Sequence, residues 1–534
     1  MHFSLIQWNN KGMMSENVHE NANETPNLSD KLDKEIEERA HNRTQRPSGS
    51  AFREFIGEDW GERPTGPTRA EVADYTPARR AALGSLFPGE RLVFPAGDLK
   101  VRSNDTDYRF RAHSAFAHLT GLGGEDEPAA VLVLNPIDSQ RSNDVTDADT
   151  HEATLYFHPR ASRSSEEFYA DSRHGEFWVG ARLSAEEMQT MTGIAVKHID
   201  ALRDDLAKDL GSVQIRVIPN SDPHIETLVG ELRAQNGISE NTASADFALA
   251  EAASELRLIK DEWEIEEMKK AVAVTAQGFE EILRNLPRAI GHWRGERVIE
   301  GAFGAKAREE GNGLGYDTIA ASGNHANTLH WISNDGSVRE GDLVLVDAGA
   351  EVDSLYTADI TRTLPVNGKF SPAQREVYEA VLEACEYALE TASKPGVRFR
   401  DVHAAAMEVI AKHLDNWGML PVSAEDSLKP EGQYHRRWMP HGTSHHLGLD
   451  VHDCAQAKRE LYQDAVLEPG MIFTIEPGLY FRADDLKVPE RFRGIGVRIE
   501  DDVVVTKNGA VRISEDIPRT VEDVEAWIAR VQEN

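Results

Sequence analysis

Residues 343–349 read LVLVDAG: four aliphatic side chains run into an aspartate and a glycine. A short apolar run bounded by turn residues is the pattern of a buried strand. A charge at the end of such a run is rare unless it is paired or coordinated. The pattern recurs downstream. Asp359 opens 359–363 (DITRT), Glu476 lies in 474–478 (TIEPG) and Glu500 ends 496–500 (GVRIE). His445 lies in the Gly/His-rich stretch 441–453 (HGTSHHLGLDVHD). Side chains two apart on a strand share a face. Asp359 and Thr361 therefore point one way, as do Thr474 with Glu476 and Arg498 with Glu500. Inward carboxylates from several strands can converge on one cavity.

Working outward, long helical patterns separate these strands: 293–311, 372–392 and 399–417. Strands and helices in blocks predict an α+β domain with an antiparallel, curved sheet. A long amphipathic helix begins within 253–286, and the domain boundary is placed just before it, giving a second domain over 253–534. Residues 55–252 read differently. RLVFPAG (91–97), AAVLVLNP (129–136), EATLYFHPR (152–160) and VQIRVIP (213–219) are strand-like. AEEMQTMTG (185–193), KHIDALRDDLAKDL (197–210) and HIETLVGELRAQN (224–236) have helical spacing. Alternation of this kind predicts an α/β domain, a sheet covered by helices. Residues 1–54 are polar and poor in aliphatics, which predicts a disordered tail with one short helix in DKLDKEIEERA (30–40). Met14 is an alternative start.

The chain has 534 residues, a formal charge of −33 and 40% hydrophobic residues. That length favours two domains. The charge argues against nucleic acid and anionic membranes as partners. No apolar run approaches the ~20 residues needed to span a bilayer, and the N-terminus lacks the layout of a secretory signal. Two cysteines, Cys385 and Cys454, imply no disulfide framework and fit a cytoplasmic protein.

Asp347, Asp359, His445, Glu476 and Glu500 together form a hard, oxygen-rich ligand set. Singly, each reads as a cap, a turn residue or a solvated charge. As a set they suit Mn²⁺-type ions better than a structural zinc, and they suit a centre of two ions about 3.5–4 Å apart. HExxH, GxSxG and P-loop patterns are absent. GNGLG (311–315) reads as a turn rather than a phosphate cradle, and Cys385 reads as core within a helix.

The stretches GDLVLVDAGAE, ADITRTLPVNGKFSPAQREVYEAVLEA, MPHGTSHHLGLDVHD, LEPGMIFTIEPGLY and RGIGVRIEDDVVVT resemble aminopeptidase P, the Xaa-Pro aminopeptidases of the pita-bread metallopeptidase group. They come in that family's order over roughly 255–515. YRFRAHSAFAHLTGL followed by AAVLVLNP resembles its N-terminal domain. The resemblance implies a pita-bread catalytic domain and two divalent metal ions, Mn²⁺ by preference. It implies bridging by Asp359 and Glu500, with Asp347 completing one ion and His445 and Glu476 the other. A water or hydroxide between the ions would attack the scissile carbonyl. Glu476 would act as general base. His330, His441 and His452 would position substrate or donate to the tetrahedral intermediate, and Arg498 would orient a site carboxylate. The substrates implied are peptides with proline at the second position, and the assembly implied is a homo-oligomer, dimer or tetramer. Prolidase shares the ligands but takes dipeptides. A non-catalytic peptide-binding module on this fold would lose ligands, and all five are present here.

Overall fold

The structure, a computed structural model, describes residues 49–104, 106–124, 127–137 and 150–533. Most of the expected tail, with the short helix read at 30–40 and the alternative start at Met14, lies outside these residues. Residues 50–54, read as tail, fold into the helix Ser50–Gly57. That helix lies on the domain surface, with the Phe52 ring edge-on to Tyr169 and Arg53 paired with Glu166.

The first domain holds a mixed five-stranded sheet: β1 (Arg91–Pro95), β2 (Val131–Pro136), β3 (His151–Phe157), β4 (Ala195–His198) and β5 (Ile215–Val217), in the order β4-β3-β2-β1-β5. β1–β2 and β2–β3 pair antiparallel, while β3–β4 and β1–β5 pair parallel. The helix expected over 197–210 is cut short. Lys197 and His198 belong to β4, in register with Tyr156 and Phe157, and the α-helix is confined to Leu202–Ala207. The β-branched Val196 and the free edge of β3 outcompete a helical start there.

The helix Glu262–Ala289 opens the catalytic half. Asp261 caps it and Glu264 completes a capping box, with bonds of 3.0 and 2.9 Å; two otherwise orphaned amides are satisfied in this way. Met268, Ala271, Thr275, Phe279, Ile282 and Leu286 form its buried stripe, the 3–4 spacing of a core-facing helix. The expected boundary at 252/253 falls inside the helix Thr242–Leu256, and the chain passes from one helix to the next through residues 257–261. One apolar core runs through both halves, joining Leu92, Phe94 and Phe116 to Met268, Phe279, Val344 and Val346.

All catalytic-half ladders are antiparallel. β6 (Ile319–Ser322), β7 (Leu343–Ala348) and β8 (Ile360–Pro365) lie in the order β8-β7-β6. β9 (Ile472–Ile475) pairs with β12 (Asp501–Thr506), β10 (Gly478–Tyr480) with β11 (Gly496–Arg498), and β12 with β13 (Gly509–Arg512). The helices Pro372–Ala392 and Phe399–Asn416 pack together against this sheet, with Val381, Ala384, Val402 and Ile410 buried. The run GVRIE is not one continuous strand. Between the pairs Ile475↔Asp501 and Gly478↔Arg498, Glu476 and Pro477 face Ile499 and Glu500 outside the ladders. Pro477 has no amide to donate, so the ladder breaks there.

Candidate metal centre

The break in the ladder sets the ligands. With the pairing interrupted, the Glu476 amide donates to Thr443 O at 2.9 Å and the Glu500 amide to Thr361 O at 3.1 Å. Thr443 is two residues before His445, and Thr361 two after Asp359. Asp347 pairs directly with Thr361 across β7–β8, and the Thr474 amide donates to His445 O at 3.0 Å. Each acid is thus tied by backbone to a segment that carries another. Two glycines allow the closest approach. A Cβ on Gly349 would lie 1.7 Å from Ala358 O, and one on Gly315 would lie 1.8 Å from Thr357 Oγ1. Only glycine lets backbone come so near, and this draws the turn after Asp347 against the segment entering Asp359.

Asp347, Asp359, His445, Glu476 and Glu500 all line one cavity of about 350 Å³, together with His330, His441, His452 and Arg498. Ligand atoms of Asp359, His445 and Glu500 fall within 4.8 Å of one another. His445 Nε2 stands 3.2 Å from Asp359 Oδ2 and 3.7 Å from Glu476 Oε1. Asp347, Asp359 and Glu500 are buried. Burial raises the Asp347 carboxyl above its usual range, with Asp359 adding to the rise against Arg498. Burial, then Asp359, Glu476 and Asp347, raise Glu500 far above its usual range. Burial pushes Glu476 up to about 7, although His445 and Arg498 pull it down. Burial lowers His445, but the Asp359 hydrogen bond and charge outweigh it and leave it at about 9. Buried acids that repel one another in this way favour a multivalent cation. Carboxylate and imidazole donors at this spacing fit hard divalent ions.

Around the acids stand their partners. Arg498 donates to Asp347 Oδ2 at 2.5 Å, to Thr361 Oγ1 at 3.1 Å and to the Tyr480 hydroxyl at 3.1 Å. The same hydroxyl lies 2.7 Å from His441 Nε2, and His441 Nδ1 is 3.5 Å from Glu476. Burial, followed by the Arg498 charge, lowers His441 to about 3, so it is neutral at physiological pH. The His452 ring sits 4.4 Å from the His445 ring. His330 lies on an exposed loop at the cavity. Glu296 secures that loop. Both oxygens of this fully buried carboxylate are saturated, by Ser322 N (2.8 Å), the His325 ring (2.8 Å), Trp331 Nε1 (2.9 Å) and Gly336 N (2.6 Å).

Sequence reasoning missed three of these groups. The Tyr316 hydroxyl shares its proton between Asp347 (2.7 Å) and Asp359 (2.5 Å), and its only signal is its place directly after the GNGLG turn. Asp502 is buried and accepts the Asp359 amide at 3.2 Å; in sequence it is one more acid in a strand. Glu296 lies in a helix among charged neighbours and reads as solvated. His446, beside His445, is buried and stacked on Phe399 with ring centroids 4.5 Å apart. Cys385 lies in the core, as read.

Comparison with known proteins adds to the geometry. Residues 266–507 match the model of metallopeptidase family M24, and residues 76–218 match the aminopeptidase P N-terminal domain. Xaa-Pro aminopeptidase 2 of Streptomyces coelicolor is 47% identical over 86% of this chain and 92% of its own length. Xaa-Pro aminopeptidase of Escherichia coli is 32% identical over 84% and 96%. The structure of E. coli aminopeptidase P with the inhibitor Pro-Leu superposes with a TM-score of 0.73 at 29% identity, covering 88% of this chain and all of that one. Aminopeptidase PepP of Pseudomonas aeruginosa gives the same TM-score, identity and coverage.

Proposed function

We propose how four acids and one histidine act in this chain, which belongs to the Xaa-Pro aminopeptidases of metallopeptidase family M24 and hydrolyses the bond between a peptide's first residue and a following proline. Asp347, Asp359, His445, Glu476 and Glu500 would hold two divalent ions, with Asp359 and Glu500 as the shared ligands. When bound, the ions supply Lewis acidity toward the scissile carbonyl and lower the pKa of a water. Manganese is the preferred ion because the donors are hard and rich in oxygen.

The chain's own groups carry the protons. Water adds its oxygen to the carbonyl carbon and gives one proton to Glu476, which passes it to the proline nitrogen as the C–N bond breaks; the second proton leaves to solvent as the product carboxyl ionises, so Glu476 is restored. Glu476 lines the cavity 3.7 Å from His445 Nε2, where a carboxylate can take a proton from the attacking water and return it. His441, held neutral, donates its one N–H from Nδ1 to Gly442 O at 2.6 Å and accepts the Tyr480 hydroxyl at Nε2, so its role is to position the peptide as a fixed ring at the cavity wall. His330 and His452 flank the same cavity and share in positioning the peptide. Arg498 fixes the Asp347 carboxylate and, through Tyr480, the His441 ring, as groups beyond the ligands commonly do. Proline at the second position has a fixed backbone and no amide hydrogen, a shape that a preformed pocket selects.

We further read the protein as cytoplasmic and as a homo-oligomer. Both cysteines are buried free thiols, and among the described residues no helix is long and apolar enough to cross a membrane. The row Phe177, Trp178 and Val179 is half exposed, an apolar surface of the kind that self-association covers.

Convergence of the five donors on one cavity carries this reading. Its test uses Arg-Pro-Pro against Arg-Ala-Pro, with metal-stripped enzyme and with enzyme reloaded with Mn²⁺. Cleavage after the first residue, only with proline second and only after reloading, is expected. Efficient cleavage of Xaa-Pro dipeptides with longer peptides ignored would move the reading to prolidase. Metal-independent cleavage would refute the assignment of the site.

A further inference from the structure

A second cavity, of about 370 Å³, adjoins the metal cavity, and His452 is a wall of both. It lies between the two halves of the molecule. Lys100, Arg111 and His113 line it from the first domain, Arg257 from the segment joining the domains, and Asp450 from the His452 loop. In a chain of charge −33 this lining is basic. The two arginines already have counter-charges: Arg111 bonds Glu351 at 2.7 Å, and Arg257 bonds Asp453 at 3.0 Å. Asp450 is likewise taken up, accepting from Ser114 Oγ at 2.5 Å and standing 3.5 Å from Arg257. Lys100 is exposed, and among the described residues no carboxylate pairs with it. The field in the chamber is registered by His113, which burial and then Arg257, with Arg111 and Lys100 adding and Asp450 opposing, lower to about 4.

We propose that this chamber is a subsite for the carboxyl-terminal part of the substrate and that Lys100 pairs there with a peptide carboxylate. The proposal rests on the aminopeptidase reading above and adds to it a preference for short, anionic-ended peptides. The N-terminal residue carries an ammonium, which Lys100 in the chamber wall repels. The part of the peptide beyond proline must leave the metal cavity, and it is the part that always ends in a carboxylate. Arg111 and Arg257 are held by Glu351, Asp450 and Asp453, which leaves Lys100 as the cation the chamber offers. Lys100 has no carboxylate partner among the described residues. The shared core of the two halves keeps the chamber walls in place, so the pairing incurs little ordering cost.

The ligand chemistry is a carboxylate, which a peptide can supply from its C-terminus or from an acidic third residue. The test compares wild type, Lys100→Met and Lys100→Glu on four substrates: Arg-Pro-Pro, its C-terminal amide, and the amides Arg-Pro-Glu-NH₂ and Arg-Pro-Gln-NH₂. The wild type is expected to favour the free acid over its amide about fivefold in kcat/KM, mostly through KM, the scale of a solvent-exposed charge pair. Lys100→Met should erase that ratio and Lys100→Glu should invert it, a swing of roughly tenfold. A Glu-over-Gln preference that Lys100→Met also erases supports the subsite and identifies a side-chain carboxylate as a second source. An acid-to-amide ratio and a Glu-to-Gln ratio unchanged across all three enzymes overturn the proposal while leaving the aminopeptidase intact. If the wild type cleaves none of the four substrates, the aminopeptidase reading falls and the subsite with it.

Discussion

Replacing Glu296 tests whether the loop bearing His330 must be held from behind. Four donors converge on this carboxylate, and it is wholly out of solvent. Glu296→Ala strands the amides of Ser322 and Gly336 and the rings of His325 and Trp331. Each stranded buried donor costs about 1–3 kcal/mol. Four would sum to about 4–12 kcal/mol, but His325 is partly exposed and the loop can relax toward water. Removing a buried charge also recovers some desolvation cost. A net loss on the order of 4 kcal/mol follows. Glu296→Gln is the sharper variant, because it keeps volume but turns one acceptor into an NH₂ group facing donors. We expect kcat to fall at least tenfold in the Gln variant, with metal content unchanged, since none of the five ligands lies in 322–336. The assays are metal analysis, steady-state kinetics on Arg-Pro-Pro and thermal melting, run side by side. Native kcat and melting in Glu296→Gln would refute the idea that this carboxylate holds the loop. Loss of metal in step with activity would show that its effect runs through the ligands instead.

Three further outcomes are expected. Asp359→Asn or Glu500→Gln should abolish turnover and lower bound metal with the fold largely kept; full activity with full metal content would contradict the shared-ligand roles. Gly349→Ala places a methyl against Ala358 O, 1.7 Å from its built position, so it should lose several kcal/mol of stability and bind metal weakly; wild-type melting and metal uptake would show that the approach of the two segments is not needed. In metal-free protein Glu476 holds its proton up to about 7 when folded but only to about 4.3 when unfolded. The folded state therefore binds more protons in that window, and apo stability from this group should fall as pH rises through it. Because ligation needs the deprotonated carboxylate, the melting gap between loaded and metal-free protein should widen from pH 5 to pH 8, and a constant gap would count against this.

The sequence made the strand-bearing acids legible because an aspartate after LVLV or a glutamate after GVRI conflicts with burial unless something compensates the charge. Period-2 reasoning also grouped Thr361 with Asp359 correctly, and Thr361 Oγ1 donates to Glu500 at 2.6 Å. It could not show that the ladders break at Glu476–Pro477 and Ile499–Glu500, because those breaks depend on which segments lie opposite. Tyr316 and Glu296 escaped for a related reason. A tyrosine after a glycine turn and a glutamate on a helix are ordinary on a surface, and only tertiary packing makes them interior. The boundary read at 252/253 falls within the helix Thr242–Leu256, because Ala-rich 249–256 continues without a break toward the next helix. The strand at 195–198 was hidden by the charged, helix-like residues that follow it.

The apolar core that crosses from the first sheet into the helix Glu262–Ala289 governs how this molecule can be taken apart. Phe94 and Phe116 share it with Phe279 and Val346; the helix itself packs chiefly on Gly295–Glu310 and Val521–Glu533 of its own half, so a chain truncated to its catalytic half would bare the part of this core that the first sheet covers. Independent folding units leave separate heat-absorption peaks, whereas fused ones melt together. Calorimetry should accordingly record one peak for the intact chain, and expression of residues 258–533 alone should yield aggregates rather than a smaller enzyme.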